Sequence, residues 1–515
     1  MSDAAAVQAL AIRSGDRVRT HAEAQERAAR IAAALREYGV SPGDRVTTML
    51  RNDIAFIETH VGAGLAGAIP VPGNWHWRGD DLRHLLTDSG SKVAFVHSDL
   101  LGAVEAVAPD GMRVVEVEVP PEIAAAYGLT AERAAPSKRY PTLEEVIAGH
   151  PPIAEPAESQ LIGMIYTSGT TGSPKGILRE RSTAEKTLEM AGIILTHFGL
   201  APGMRTLIPA PLYHSAPYGH WSVAIAGGCD LTIMPRFDPE ELLRTVEANR
   251  IEHMQVVPTM FVRLLKLPEE VRKRYDISSL RSVVHAAAPC PPDVKSAMID
   301  WWGPIILEYY GGTETGVVTA CDSTQWLAHP GTVGTAIPGA DVRILGADDA
   351  PLGTGEVGEI YLKPPSSWPD FTYLGADQKR RDMERDGYLS VGDMGYLDED
   401  GFLFLTDRRN HMVISGGVNL YPAEIENCLI GMDGVRDVAI FGIPDEEFGE
   451  VLACHLVADA GITEDAVREY VRSHLAGYKV PKVVVFEEEL PREDSGKLFK
   501  RKLREPYWRE AGRSI

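Results

Sequence analysis

Tyr166-Thr-Ser-Gly-Thr-Thr-Gly-Ser-Pro-Lys175-Gly176 follows the short apolar run Leu161-Ile-Gly-Met-Ile165, whose length and composition predict a buried strand. The stretch combines the glycines Gly169, Gly172 and Gly176, the hydroxyl side chains Thr167, Ser168, Thr170 and Thr171, and one cation, Lys175. Glycines let successive backbone N–H groups turn toward one point, hydroxyls add donors and the lysine adds charge. That is the chemistry of a loop that wraps a polyphosphate. It is not a Walker A loop, because Pro174 stands where that loop has glycine and Gly176 replaces its Mg²⁺-binding hydroxyl residue.

Outward from this loop, strand-like runs at 93–97, 161–166, 231–234, 254–257, 282–285 and 305–310 alternate with helical patterns such as 238–248 and 292–301. This alternation predicts an α/β layered core with mostly parallel strands. Residues 20–38 read as a helix. Thr20 and Glu23 make a capping box, and Ala24, Ala28, Ile31, Leu35 and Tyr38 share one face. A strand at 45–50 follows. Residues 102–158 are rich in Ala, Glu and Pro with weak periodicity and predict an irregular surface connection. From Gly331, short runs at 342–345, 358–363, 387–391 and 402–405 predict a small antiparallel β unit. After Asp407-Arg408, patterns at 423–429, 435–442, 466–475 and 483–487 predict a separate, smaller α+β domain.

One motif is a decoy. Gly62-Ala-Gly64-Leu-Ala-Gly67 matches a dinucleotide fingerprint, which must follow a strand and open a helix. Ile54, Ile57, Val61 and Leu65 run through it at helical spacing, so these glycines belong to a helix already under way and serve close packing.

Bulk properties narrow the function. The 515 residues suffice for several domain-sized units, and 44% apolar and 24% charged content suits a globular protein. A net charge of −22 argues against nucleic acid as a partner. The longest uncharged apolar run, 61–72, is too short to span a bilayer, and the amino terminus lacks a signal pattern. Cys229, Cys290, Cys321, Cys428 and Cys454 lie far apart and read as small buried hydrophobes in a reducing compartment. The expected location is the cytoplasm.

Four further segments carry candidate chemistry. Glu308-Tyr-Tyr-Gly-Gly-Thr-Glu314 surrounds a glycine pair with aromatic rings and carboxylates. Tyr310 there suits packing on a base, and Glu314 suits Mg²⁺. Val391-Gly392-Asp393 reads as a loop aspartate able to accept from ribose hydroxyls. Asp407-Arg408 precedes Ile414-Ser-Gly-Gly-Val-Asn-Leu-Tyr-Pro-Ala-Glu-Ile-Glu426. Leu490-Pro-Arg-Glu-Asp-Ser-Gly-Lys497 sets a lysine after a tight turn. Each alone has an ordinary structural explanation, from a core tyrosine to a solvated surface lysine. Their order decides otherwise.

That order, with Gly43-Asp44-Arg45-Val46 near the start and Lys502-Leu-Arg-Glu-Pro-Tyr-Trp508 near the end, resembles the adenylate-forming superfamily of acyl-CoA synthetases, luciferases and peptide-synthetase adenylation domains. The resemblance implies residues 1–408 as an AMP-binding domain and 409–515 as a mobile domain carrying Lys497. It implies that a carboxylate attacks the α-phosphorus of Mg·ATP, giving an acyl-adenylate and pyrophosphate, and that a thiol, usually coenzyme A, then takes the acyl group. The loop 167–176 is expected on the β- and γ-phosphates, with Thr170 also near the metal. Tyr310, with neighbours Glu308, Tyr309 and Gly311, and Ala287-Ala288-Pro289 are expected around adenine. Thr313 is expected on the α-phosphate, Glu314 on Mg²⁺, Asp393 on the ribose with Arg408 assisting, and Lys497 on the α-phosphate and attacking carboxylate. In the second half Lys497 leaves, and Ser415-Gly416-Gly417 lines the thiol tunnel.

Pro211-Leu-Tyr-His214-Ser-Ala-Pro matches the acyl-CoA branch, with His214 near the substrate carboxylate. Amino-acid-activating relatives place an aspartate here, so an apolar acid is expected, in a pocket of His214, Ala286 and Gly311-Gly312. Two other readings stay open: an adenylation enzyme that loads a carrier protein's phosphopantetheine, and a nucleotide-binding protein without catalysis. A homodimer is compatible with the resemblance. The chain departs from the family pattern at Asn410 and His411, at the expected hinge, and at Ala286, where glycine is common. The basic run 500–504 reads as a CoA-phosphate contact or a solvated face.

Overall fold

The computed structural model describes residues 10–157, 163–167, 174–409, 411–416, 418–492 and 498–511. Two largely parallel sheets make the bulk of the chain. In the first, Ile69–Pro72, Arg45–Met49, Val93–His97 and Arg113–Val117 lie side by side, all parallel. The second has nine strands, in which Ile306–Tyr310, Ser282–His285, His253–Val256, Arg205–Ile208, Asp230–Ile233 and Ala11–Ser14 run parallel. Antiparallel strands close both of its edges, Arg17–Thr20 on one side and Thr319–Cys321 with Thr335–Ala336 on the other.

The helix His21–Glu37 forms as its capping box and apolar stripe require, burying Ala24, Ala28, Ile31 and Leu35. It packs against Ile54–Leu65, and the glycine of the decoy motif explains the close approach. A β-carbon on Gly62 would lie 2.7 Å from Ile31 Cγ2 and 2.9 Å from the Ala28 carbonyl oxygen. Overpacking of this kind costs ~1–3 kcal/mol.

The expectation of an irregular connection over 102–158 is corrected. Arg113–Val117 is the edge strand of the four-stranded sheet, and Pro121–Ala126, Ala131–Ala134 and Leu143–Gly149 are short helices. Glu116 breaks the apolar run, yet it is fully buried because Ser137 donates its backbone N–H and its hydroxyl to the carboxylate, each at 2.7 Å.

A three-stranded antiparallel sheet joins Ile165–Thr167, Lys175–Arg179 and Phe371–Tyr373. A five-stranded antiparallel unit holds Asp341–Leu345, Gly358–Lys363, Glu384–Arg385, Tyr388–Leu397 and Leu403–Arg408. The sheet after Arg408 is distinct. Val413–Ser415, Val418–Leu420, Val435–Asp445, Gly449–Ala458 and Val483–Phe486 surround a core of their own that includes Ile425, Leu429, Ile440, Leu452, Val467 and Val471. Across the junction, Lys266 Nζ donates to the carbonyls of Val435 and Arg436 at 3.3 and 2.9 Å. All five cysteines are free, with Cys229, Cys321 and Cys454 buried. Among the described residues no helix is long and apolar enough to cross a membrane.

Candidate active site

The glycine loop is closed by a hairpin. Thr167 pairs with Lys175 across the strands Ile165–Thr167 and Lys175–Arg179, so the turn between them begins and ends at one spot. Ser168, Gly169, Thr170, Thr171 and Gly172 lie outside the described residues. Lys175 directs its ammonium over the ring of Tyr373, 5.8 Å from the centroid. The Tyr373 hydroxyl donates to Glu314 Oε1 at 2.8 Å. The hairpin and the segment of Glu314 are thereby linked through a residue on a third strand, Phe371–Tyr373.

The segment 311–316 is a tight turn that only glycine permits at its start. A β-carbon on Gly311 would fall 1.7 Å from the Gly316 carbonyl oxygen. The Gly312 N–H donates to Thr315 Oγ1 at 2.9 Å, and the Gly316 N–H to the Gly312 carbonyl at 2.9 Å. Arg179, at the end of the hairpin strand, holds this turn from below. It donates to the Thr313 carbonyl, to the Glu314 carbonyl at 3.3 Å and to the Pro369 carbonyl at 3.1 Å, and stacks on Trp368 at 4.9 Å. Burial lowers its pKa to about 10, only partly offset by Glu314 and Asp370, so it stays charged at neutral pH. The Thr313 hydroxyl donates to Ser215 Oγ at 3.1 Å. His214 is the N-cap of the helix that Ser215 begins, and its ring lies 4.2 Å from that of Tyr213. His214 and Thr313 thus flank the same helix start.

Asp393 is in a strand, not in the loop expected from Gly392-Asp393. It pairs with Arg408 across the strands Tyr388–Leu397 and Leu403–Arg408, which puts both side chains on one face. Arg408 Nε lies 3.2 Å from Asp393 Oδ1, and Tyr310 donates its hydroxyl to Oδ2 at 2.8 Å. Burial first, and the Asp393 charge second, push the Tyr310 hydroxyl well above its usual pKa, which keeps it a donor. One carboxylate therefore ties the end of the parallel sheet to the antiparallel unit.

Two expected nucleotide residues turn elsewhere. The strand Ile306–Tyr310 buries Glu308, whose carboxylate meets Lys295 Nζ at 2.5 Å with His285 Nε2 at 3.5 Å. Tyr309, on the opposite face, stacks on Phe198 with centroids 4.7 Å apart. Glu308 shares its strand face with Tyr310 but is taken up by Lys295, whereas alternation turns Tyr309 to the other face, against Phe198. Ala286 is buried, whereas Ala287, Ala288 and Pro289 form an exposed edge after the strand Ser282–His285. Ala287 has φ of 76°, a left-handed conformation that an alanine side chain disfavours.

The C-terminal candidates stand apart. Ser415 pairs with Val418 and Gly449, and the Gly416 N–H donates to the Phe448 carbonyl at 2.9 Å. No hydrogen bond or ion pair among the described residues joins this hairpin to the turn at Thr313. Gly417, Asn410 and Lys497 lie outside the described residues. Asp407 accepts from the Ala423 N–H at 2.9 Å, and His411 Nδ1 lies 3.7 Å from Asp407 Oδ1. In the basic run, Lys500 pairs with Glu426 at 2.8 Å and Arg504 lies 4.0 Å from Glu450.

Sequence reasoning missed Arg179, Ser215 and Tyr373. The sequence signal for Arg179 was an arginine at the end of the short strand Lys175–Arg179. The other two show only when strands distant in sequence are paired. The assembled site joins the paired strands that flank the glycine loop, a carboxylate suited to a cation, a hydroxyl beside a histidine, and an aspartate clasped by arginine and tyrosine. Such a set can hold a nucleotide along its whole length.

Known proteins resemble the chain over nearly its whole length. The model of the AMP-binding enzyme family matches residues 2–368, and that of the AMP-binding enzyme C-terminal domain matches 424–497. Feruloyl-CoA synthase of Amycolatopsis sp is 34% identical over 504 residues, covering 97% of this chain and 96% of that protein. A long-chain-fatty-acid–CoA ligase of Mycobacterium tuberculosis is 32% identical over 506 residues, covering 97% and 95%. The ATP-bound crystal structure of MatB from Rhodopseudomonas palustris superimposes with a TM-score of 0.81 at 28% identity, covering 97% and 96%. The chain belongs to the AMP-binding enzyme family, in its acyl-CoA synthetase branch, and joins a carboxylic acid to coenzyme A through an acyl-adenylate.

Proposed function

We propose that the residues gathered around Thr313 and Asp393 carry both halves of this reaction on a large apolar acid. The observation that bears most weight is the convergence of the hairpin at Lys175, the turn at Thr313 to Glu314 and the Asp393–Arg408 pair through Tyr373 and Tyr310. ATP then lies with its ribose on Asp393 and Arg408, its adenine between Tyr310 and the 287–289 edge, its α-phosphate at Thr313 and its outer phosphates in the 167–175 hairpin. The acid enters beside His214, Ala286 and Gly311-Gly312. Small side chains there leave room for a ring or chain, in keeping with relatives named for feruloyl and long-chain fatty acids.

In the first half a carboxylate oxygen forms a bond to the α-phosphorus, the α–β phosphoanhydride bond breaks, and pyrophosphate departs. Thr313, Lys175 and Lys497 offset the like charges brought together as acid meets triphosphate. Among the described residues no group of three or more His, Cys, Asp or Glu could hold a metal ion alone. Glu314 suits Mg²⁺, which usually takes one or two carboxylates and completes its shell with substrate phosphates and water. Bound with ATP, Mg²⁺ supplies charge neutralisation on the phosphates. In the second half the domain from 409 onward turns about Asn410, withdrawing Lys497 and bringing in Ser415, Gly416 and Gly417. The CoA sulfur then attacks the acyl carbon and AMP leaves.

The test is a panel of aromatic, alicyclic and fatty acids assayed for pyrophosphate release with CoA or a phosphopantetheinylated carrier protein as acceptor. The reading predicts acid-dependent release and an acyl-CoA product. Release with thioester on the carrier alone would replace CoA by a carrier as the acceptor, and no release with any acid would remove the assigned site roles.

A further inference from the structure

Lys379 lies beside Lys175 although the two are far apart in sequence. The cause is strand pairing. Phe371–Tyr373 runs antiparallel to Lys175–Arg179, the Leu374 N–H donates to the Gly176 carbonyl at 2.9 Å, and the helix Asp377–Asp382 starts just beyond. Both ammonium groups then sit over one ring, Lys379 Nζ at 5.2 Å and Lys175 Nζ at 5.8 Å from the Tyr373 centroid. Neighbouring Arg380 pairs with Asp370 and Glu384. Among the described residues neither lysine has a carboxylate within ion-pair distance. Burial lowers the pKa of Lys379, the Lys175 charge lowers it further, and Glu314 offsets this only in part. Two like charges held together by the backbone, without an acid between them, repel until an anion arrives.

We propose that Lys379 is a second cation of the phosphate site, facing Lys175 across the β- and γ-phosphates of ATP and the departing pyrophosphate. This rests on the reading of 167–176 as the phosphate loop. Neither the glycine loop nor the other sequence motifs include this residue.

ATP–pyrophosphate exchange with K379A, K379R and K175A tests it, with Michaelis constants measured separately for pyrophosphate, ATP and the acid. K379A is expected to raise KM for pyrophosphate and ATP about tenfold, the effect of one lost charge-assisted contact. The KM for the acid stays as it was, and K379R restores most of the loss. A rise with K175A but none with K379A overturns the proposal and leaves the phosphate loop standing. No rise with either variant overturns both. An equal rise in the acid constant assigns Lys379 a structural part instead, which also overturns it.

Discussion

The most informative single-atom change at the site is Tyr373→Phe. The tyrosine is 3% exposed, and its hydroxyl donates to Glu314 Oε1 at 2.8 Å and reaches Met383 Sδ at 3.2 Å. Burial first, and the Glu314 charge second, raise its pKa, so it stays protonated and can only help an ionised carboxylate. The substitution removes one hydroxyl and keeps the ring. Contacts to Lys175, Lys379 and Phe371, whose ring meets it edge-on at 5.4 Å, survive. A hydrogen bond to a charged group contributes ~1.5–3 kcal/mol, and Glu314 is only half-buried, so the lower figure of ~1.5 kcal/mol applies. This converts to about a tenfold loss in kcat/KM for adenylate formation, with a higher Mg²⁺ requirement. Pyrophosphate exchange at varied Mg²⁺ measures both, and thioester formation from a supplied acyl-adenylate serves as the control. Unchanged exchange kinetics and Mg²⁺ dependence would refute the claim that Tyr373 orients a metal-binding carboxylate.

Other outcomes follow from the same physics. Ala287→Gly should raise stability by ~1 kcal/mol, because glycine takes the left-handed backbone at 287 without strain, and a lower or unchanged melting temperature would count against that strain. Arg179→Met should cut adenylate formation strongly while sparing nucleotide-independent folding of the C-terminal sheet. It takes the guanidinium donors from the Thr313 and Pro369 carbonyls and leaves Glu314's carbonyl only the Trp368 indole N–H, and full activity would show that the turn holds itself. Four buried histidines set an acid limit on the fold. Burial holds His60 down to about 3 and His253 to about 4, with His220 and His285 well below the usual value. Since the unfolded chain takes up these protons below about pH 6.5, stability is full above that pH and falls as pH drops toward the folded values. The loss is ~1.4 kcal/mol per pH unit for each histidine, so His60 and His253 alone contribute ~3 kcal/mol by about pH 5.5. Denaturation midpoints that stay level between pH 7 and 5.5 would contradict this.

Much of this was legible in the chain. The capping box at Thr20, the runs at 93–97 and 282–285, and the texture change near Gly331 are local signals, and local structure obeys them. The segment around Arg113–Val117 hid because Glu116 interrupts its apolar pattern, and only Ser137, from beyond the sheet, makes that burial tolerable. The strand Gly449–Ala458 was missed as well, although it pairs with three neighbours in the C-terminal sheet, since Glu450 and His455 interrupt its apolar run. At the site, motif order identified the segments, whereas side-chain direction needed the strands. Glu308 and Tyr309 sit in the expected motif but engage Lys295 and Phe198, while Tyr373, outside every motif, reaches Glu314.

The central claim is that one nucleotide spans the hairpin, the Thr313 turn and Asp393. A crystal structure with a non-hydrolysable ATP analogue and Mg²⁺ measures this most directly. The account predicts ribose hydroxyls on Asp393, the α-phosphate at Thr313 and the outer phosphates between Lys175 and Lys379. A triphosphate seated elsewhere, with the hairpin empty and Asp393 still engaged only by Tyr310 and Arg408, would contradict it.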